Sequence, residues 1–204
     1  MTILQKINTV VDRYVTVLSN ILKVNVEVID ETYEVISSTE TTNLGKKNEA
    51  YVYKAVLSTG MKRIIMEPGR DEICKQCNRR DRCRDTFELH TPIKLDGKPI
   101  GVICFSCDTQ AQREHFLHQF DTLMEFIDQI SDLIALKAIE TQEQERSLSY
   151  IDVLSSVIDQ VEQGIIITNQ DGMILRANRV AKRLLHLSSQ QFDAVQLTVQ
   201  IQEG

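Results

Sequence analysis

The five cysteines of this 204-residue chain lie together between residues 74 and 107. Cys74 and Cys77 are separated by two residues, a spacing that lets a tight turn bring two thiolates to one metal centre. Cys83 follows closely enough to return to the same centre, so these residues supply three ligands. Zinc and iron–sulfur clusters both take thiolate ligands, and spacing alone does not separate them.

A fourth ligand would have to come from Cys104 or Cys107, about twenty residues downstream. In an extended strand these two side chains point to opposite faces, so both cannot easily bind one centre. The other cysteine is then expected to be a small buried apolar residue. His90 could replace a thiolate, although a single strand histidine is more often simply hydrogen bonded.

Arginines surround the three grouped cysteines. They are Arg79, Arg80, Arg82 and Arg84. Cations in these positions are expected to lower the pKa of the thiols and to balance the charge of four thiolates. They suit zinc and iron equally. His115 and His118, three residues apart in a predicted helix, are interpreted as surface residues.

The composition indicates a folded cytoplasmic protein. The net charge of −6 argues against direct nucleic-acid contact by this region, because phosphate binding depends on excess lysine and arginine. Charges interrupt the apolar residues of the N-terminus, and no stretch approaches the roughly 20 apolar residues that cross a bilayer. In a reducing compartment, clustered cysteines favour metal or redox chemistry over structural disulfides.

The pattern of apolar residues predicts an α+β fold, with an antiparallel sheet flanked by N-terminal and C-terminal helices. Asp96 and Gly97 between two alternating runs are a strong hairpin signal. The predicted elements are a helix over 3–22, strands over 24–30 and 33–38, a helix over 46–58, a strand over 63–66, strands over 86–95 and 99–107, and a long connecting helix over 110–148.

An apolar stripe at steps of four and three runs along the long helix. Its members are Phe116, Phe120, Leu123, Ile127, Ile130, Ile134 and Ala138. Such spacing predicts that the helix pairs with a copy of itself, giving a homodimer through the N-terminal and long connecting helices. The alternative interpretation is that the stripe only covers the sheet of its own domain.

A second unit follows the polar run over 141–149, which we interpret as a helical linker. A helix over 150–161 leads into a hairpin that turns at Asp171 and Gly172. The unit is too short to close a core of its own, so the chain is expected to be a fragment of a longer protein, or else to stop naturally here. The predicted domains are therefore 1–140 and 150–204.

Residues 1 to about 140 resemble a GAF domain, with Pro99 to Ile103 similar to the penultimate strand of that family. Residues 150 to about 190 resemble the opening of a PAS domain. This second resemblance is the more specific one, and it rests on the run from Val161 to Ile167, on the Asp-Gly turn and on Asn178 at the head of a helix.

The cysteine motif ahead of Thr91-Pro92-Ile93 and Ile100-Gly101-Val102-Ile103, in a GAF-like then PAS-like order, resembles the N-terminal half of certain sigma-54-dependent transcriptional activators of anaerobic bacteria. That resemblance implies C-terminal output domains, an AAA+ ATPase and a helix-turn-helix domain. No phosphate-binding loop motif occurs within the chain itself. The same sensory region could equally serve a histidine kinase.

The resemblance also gives the preferred ligands and cofactor. The activators carry a cysteine at the position of Cys107, so the implied ligand set is Cys74, Cys77, Cys83 and Cys107. The implied cofactor is an iron–sulfur cluster, expected to be 4Fe–4S, with zinc as the alternative and a metal-free thiol switch as a third.

The function predicted from these features is sensing of redox state or oxygen, not enzymatic catalysis. Free methionine sulfoxide reductases are GAF-like and use cysteines, but they are single compact domains, and the long helix and the PAS-like start speak against that activity. A GAF module that binds a small molecule, with zinc holding the loop, is the other alternative.

Overall fold

The computed structural model describes residues 1–77 and 80–186. Asn78 and Arg79 of the predicted metal loop, and the last 18 residues of the predicted PAS segment, 187–204, lie outside the described residues. The chain divides into two compact units, Met1–Glu143 and Gln144–Gly204. The domain boundaries drawn from the sequence stay a prediction.

The first unit is built around a five-stranded antiparallel sheet with strand order β2-β1-β5-β4-β3. Its elements are α1 (Ile3–Lys6), α2 (Asn8–Leu22), β1 (Asn25–Asp30), β2 (Val35–Ser38), α3 (Tyr51–Thr59), β3 (Arg63–Ile65), β4 (Phe87–Leu95), β5 (Lys98–Cys107), α4 (Gln110–His118) and α5 (Phe120–Gln160). The predicted fold class, with helices flanking an antiparallel sheet and a long connecting helix, is confirmed.

The hairpin of β4 and β5 forms the centre of the sheet and is turned by Asp96 and Gly97. Both residues have positive φ, 50° and 78°, as the two-residue turns that match the strand twist require. The register sets Phe87 opposite Cys107 and His90 opposite Cys104. Because directly opposite residues share a face of the sheet, each of these pairs points to one side.

One face of the sheet is covered by α1, α2 and the first part of α5. The stripe from the sequence, from Phe116 to Ala138, lies in this core or packs against it, together with Leu4, Val11 and Phe105. The stripe therefore covers the sheet of its own unit, as the alternative interpretation has it. The homodimer predicted from that stripe stays a prediction.

The other face of the sheet carries a smaller core beneath α3. Its members are Ile29, Val35, Val52, Tyr53, Val56, Ile65, Cys74, Val102 and Cys104. The helix begins at Tyr51, five residues later than the sequence pattern suggests. Backbone hydrogen bonds hold the preceding segment against β2, because Val35 donates to the carbonyl of Lys46 and Gly45 donates to that of Val35.

The second unit contains the remainder of α5, which continues through 141–149 without a break, then β6 (Ile166–Thr168), β7 (Ile174–Ala177) and α6 (Arg179–Leu184). Asn178 is buried and caps α6, because its side-chain oxygen accepts from the backbone of Ala181 at 2.9 Å. The same oxygen accepts from Ile165, and the amide nitrogen donates to Ile158. Asn178 thus joins the end of α5 to the hairpin and α6.

Candidate metal centre

The segment between β3 and β4, residues 66–86, carries three cysteines and is called the cysteine loop below. Two short 3-10 helices, Glu72–Gln76 and Arg80–Arg82, give it a three-residue repeat. Successive backbone hydrogen bonds join Cys74 to Cys77 and then to Arg80 and Cys83, each donated by the later residue. Together these bonds keep Cys74, Cys77 and Cys83 close to one another along the loop.

Gly69 fixes the close approach of the two halves of the cysteine loop. Its φ is +82°, and a Cβ at this position would lie 2.9 Å from the carbonyl oxygen of Arg80 and 3.4 Å from Cβ of Cys83. Arg80 Nε donates to the Gly69 carbonyl at 3.0 Å, and the backbone N–H of Gly69 lowers the pKa of the Cys74 thiol against the larger effect of burial. A side chain at residue 69 would therefore push Cys83 away from Cys74.

We expect Gly69→Ala to reduce the metal content of the protein by at least about half as well as to destabilise it. Gly97→Ala is the matched control, because Gly97 has φ +78° and no described heavy atom within 4 Å of an added Cβ. Both variants should lose about 1–3 kcal/mol from backbone strain. Metal analysis gives the metal content of both variants, and denaturant unfolding gives their free energies of unfolding. Equal metal content in the two variants would contradict the role of Gly69.

The strand cysteines lie on opposite faces of β5, as the sequence predicts. Cys104 shares the small core with Cys74, and it lies opposite His90 in β4 and Glu27 in β1. Cys107 is fully buried in the other core, on the side covered by α4 and α5. The geometry therefore brings Cys104, and not Cys107, to the side of the sheet that holds the cysteine loop.

A cavity of about 470 Å³ lies between the cysteine loop, α3 and the sheet. Of the five cysteines, four line it, namely Cys74, Cys77, Cys83 and Cys104. Three of the four ligands predicted from the sequence, Cys74, Cys77 and Cys83, are thus brought together. The fourth predicted ligand, Cys107, faces the opposite side of β5. Whether either strand cysteine binds a metal stays a prediction.

Polar residues that the sequence did not single out line the same cavity. Glu27 accepts hydrogen bonds from Tyr53 Oη and Asn48 Nδ2, both at 2.9 Å. The Tyr53 ring meets the His90 ring edge to face, with centroids 5.1 Å apart. Glu27 alternates with valines in β1 and so has the pattern of a solvent-facing residue. No local sequence signal marks it as part of a site.

Carboxylates adjoin the cysteines on the sheet side. The Cys83 thiol donates to Asp85 at 3.6 Å, and Glu88 Oε2 lies 3.0 Å from His90 Nε2. Burial, together with the negative charges of Glu88 and Asp108, raises the pKa of Asp85 to about 7. This corner of the cavity holds more negative charge than burial favours, so a bound cation would be stabilised there.

Three of the thiols that line the cavity have raised pKa values, namely those of Cys74, Cys83 and Cys104. Burial, helped by nearby carboxylates, raises the pKa of Cys83 to about 11 and also raises the pKa of Cys74. The fully buried Cys104 has its pKa raised well above the usual value by the same burial. Arg80, Arg82 and Arg84 line the same cavity but are exposed, and the pKa values of Cys74 and Cys83 are raised by burial where the sequence predicts that arginines lower them.

Comparison with known proteins identifies a PAS match in the second unit and a relative that matches most of the chain. A family profile described as "PAS domain" matches residues 153–203, which confirms the PAS prediction for the second unit. The uric acid sigma-54-dependent transcriptional regulator UacR of Escherichia coli strain K12 is 24% identical over 188 residues, covering 90% of this chain. The chain spans only 31% of the length of that relative.

Two solved structures share the fold. The Escherichia coli DhaR(N)-DhaL complex has a chain that matches at a TM-score of 0.53 with 15% identity, over 95% of this chain and 68% of that one. A type II free methionine-R-sulfoxide reductase from Thermoplasma acidophilum matches at 0.50 with 16% identity, over 67% of this chain and 96% of the other. At these identities the likeness shows the fold alone.

Within residues 1–77 and 80–186, no helix has the length and apolarity needed to span a membrane.

Proposed function

We propose that this chain is the sensory region of a cytoplasmic sigma-54-dependent transcriptional activator, which senses redox state or oxygen through a cysteine-bound iron–sulfur cluster. The GAF-like unit would hold the cluster, expected to be 4Fe–4S, and α5 would pass the signal to the PAS domain and to C-terminal output domains. The relative of that regulator class supports the assignment, since the match covers 90% of this chain. An enzymatic role is not part of the proposal.

The observation that carries the cluster proposal is the convergence of four cysteines on one cavity. Cys74, Cys77 and Cys83 come from the loop, and Cys104 comes from the strand beneath it. We therefore propose Cys104 as the fourth ligand, with Cys107, the choice from the sequence, as the alternative. The backbone N–H groups of Gly69 and Asp85 lower the pKa of Cys74 and Cys83 against the larger effect of burial. Such donors stabilise thiolates.

A cluster accommodates cysteines that are farther apart than the ligands of a single zinc ion. Four thiolates on one tetrahedral zinc lie about 3.8 Å apart, since each Zn–S bond is about 2.3 Å. Among the described residues, no three cysteine sulfurs lie within 4.8 Å of one another. A cluster separates its ligands because each thiolate binds a different iron, and the cavity of about 470 Å³ leaves room for several atoms.

Signalling would use the direct connection between the site and the long helix. A bound cluster supplies a redox-active and oxygen-labile group that holds the cysteine loop against β5, so its loss would free the loop. Strand β5 leads through Thr109 into α4. The Phe116 ring of α4 packs against the rings of Phe87 and Phe105, with centroid distances of 5.3 and 6.4 Å. A shift of β5 would therefore displace α4 and the start of α5.

The proposal is tested by the visible spectrum of protein purified without oxygen. We expect brown absorbance that bleaches on exposure to air, accompanied by increased proteolysis within the cysteine loop but not in the β4–β5 turn. Colourless anaerobic protein whose loop is equally protected with and without air would contradict the sensor.

A second candidate function is recognition of a small molecule in the same cavity, with zinc holding the loop. The polar group of Glu27, Asn48 and Tyr53 favours it, because it could orient a ligand with hydrogen-bond donors. Uric acid, which the relative's name mentions, is the probe to use. Calorimetric binding that is lost in Glu27→Ala would support this function, and absence of binding to zinc-loaded protein would exclude urate.

We also propose a homodimer through α2 and α5. Tyr150, Leu154 and Val157 follow one another at steps of four and three on α5 and are 61%, 58% and 56% exposed. On α2, Val17 and Ile21 are exposed one turn apart. Two copies of such a stripe bury each other in a parallel helix pair.

Leu154→Glu is expected to raise the dimer dissociation constant at least about tenfold, because burial of each leucine contributes about 1.5–3 kcal/mol. Ser156→Glu, at an exposed position off the stripe, places the same charge on the same helix and should leave the dimer intact. Sedimentation equilibrium measures both variants. A wild-type chain that stays monomeric, or equal effects of the two changes, would contradict this interface.

A further inference from the structure

A row of side chains crosses the sheet beneath the cavity, one from each strand. The register places Arg63 opposite His90, and His90 opposite Cys104. Cys104 in turn lies opposite Glu27, which lies opposite Ser38. Because directly opposite residues share a face of the sheet, Cys104 has the imidazole of His90 on one side and the carboxylate of Glu27 on the other. Of these two neighbours, His90 has no role in the proposed function.

The imidazole of His90 is held in one orientation. Its side chain is 2% exposed, and its Nε2 lies 3.0 Å from Oε2 of Glu88, two residues away in β4. The ring of Tyr53 meets the imidazole edge to face, with ring centroids 5.1 Å apart. The carboxylate and the aromatic ring together fix the position of Nε2.

The partners of His90 assign its hydrogen to Nε2. An ionised carboxylate only accepts hydrogen bonds, so the hydrogen between Nε2 and Glu88 belongs to the imidazole. No described residue makes a hydrogen bond with Nδ1, which is buried. A hydrogen on Nδ1 would bury an N–H without an acceptor, and in the neutral ring it would set two acceptors against each other at Nε2. The neutral ring with its hydrogen on Nε2 avoids both costs.

The same N–H reaches the sulfur of Cys104, because Nε2 lies 3.9 Å from Cys104 Sγ. A histidine that binds a metal does so through a bare ring nitrogen, so Nε2 is not available as a ligand while it carries hydrogen. A thiolate accepts a hydrogen bond more strongly than a thiol does. The contact between His90 and Cys104 therefore strengthens when Cys104 binds a metal.

We propose that His90 is a positioning residue for Cys104: its Nε2 donates a hydrogen bond to the Cys104 sulfur, and neither ring nitrogen binds the metal. Glu88 holds the imidazole in the donating form. This inference rests on the proposed function, in which Cys104 is the fourth ligand. Hydrogen bonds to ligand sulfurs help to set the reduction potential of an iron–sulfur cluster, so His90 would adjust the potential at which the proposed sensor responds.

The donating form of His90 is measured by nuclear magnetic resonance in the reduced, metal-free 204-residue chain, labelled with ¹⁵N-histidine. Long-range ¹H–¹⁵N spectra distinguish the two neutral forms of imidazole, and His90→Gln identifies the His90 signals among the four histidines. We expect hydrogen on Nε2, and an Nε2 signal that shifts in Cys104→Ala but not in Cys107→Ala, whose changed side chain lies in the opposite core. Hydrogen on Nδ1, or equal responses to the two alanine changes, would overturn the proposal.

The reduction potential of iron-loaded protein purified without oxygen provides a second measurement. His90→Leu removes the donor, whereas His90→Gln keeps an N–H on a side chain of similar reach. We expect both variants to keep the iron content of the wild type. The equilibrium constant for reduction should fall at least about threefold in His90→Leu and stay within about twofold in His90→Gln, because the donor stabilises the more negative, reduced form.

Two results of this second measurement would contradict the proposal. Loss of iron in both variants would identify His90 as a ligand, and equal potentials in His90→Leu and the wild type would show that its N–H does not act on the cluster. Wild-type protein without iron and sulfide would contradict the proposed cluster instead. Since the form of His90 is measured in the metal-free chain, the two proposals fail independently.

Discussion

Cys77→Ser is expected to lower the iron content of anaerobically purified protein from about four atoms per chain to fewer than one, with loss of the brown colour. Cys77 follows the first 3-10 helix of the cysteine loop and faces the cavity with Cys74 and Cys83. A serine hydroxyl does not replace a thiolate as a ligand of soft iron, so the cluster loses one of its four attachments. Iron and sulfide analysis with visible absorbance measures the effect.

Gln76→Ser is the matched control for that experiment. Gln76 precedes Cys77 directly and is exposed, so the substitution introduces the same side chain into the same turn without removing a thiol. Its iron content should equal that of the wild type. A brown Cys77→Ser protein with about four irons per chain would show that Cys77 is not a ligand.

The second large effect is a difference in cluster content between alanine variants of the two strand cysteines, Cys104 and Cys107. Cys104→Ala should lose the cluster, because Cys104 shares a cavity with the loop cysteines. Cys107→Ala should keep iron and colour and lose about 1–2 kcal/mol of stability, because Cys107 is buried among the residues of the opposite core. Metal analysis and denaturant unfolding of the two proteins separate the roles.

The reverse outcome has an equally definite meaning. If Cys107→Ala abolishes the cluster while Cys104→Ala keeps it, the ligand set is the one that the family resemblance implies. The end of β5 would then have to turn over on metal binding, since the Cys107 side chain lies in the core on the opposite face of the sheet. Loss of the cluster in both variants would mean that the strand itself must be intact for assembly.

Local signals in the sequence were sufficient for most of the fold. Asp96 and Gly97 have the positive φ values that an Asp-Gly hairpin turn requires, and their prediction depends on two adjacent residues. The spacing of Cys74, Cys77 and Cys83 likewise predicts that they line one cavity, because only a few residues separate them. Such features are decided within a few residues of the chain.

The features that depend on distant partners were not predictable in the same way. The apolar spacing of α5 is the same whether the helix covers its own sheet or a second copy, and only the packing of Ile127 and Ile134 in the core decides between them. Alternation shows that Cys104 and Cys107 face opposite ways. It does not show which face the cysteine loop covers, because that depends on α3 and on residues 66–86 together.

The central claim is that the cysteine cavity holds an iron–sulfur cluster. Its most direct test is to measure iron, acid-labile sulfide and zinc per chain in protein purified without oxygen. About four irons and four sulfides, with less than a tenth of an equivalent of zinc, is the result that the four converging cysteines predict. One zinc per chain, with no sulfide and no colour, would contradict the cluster.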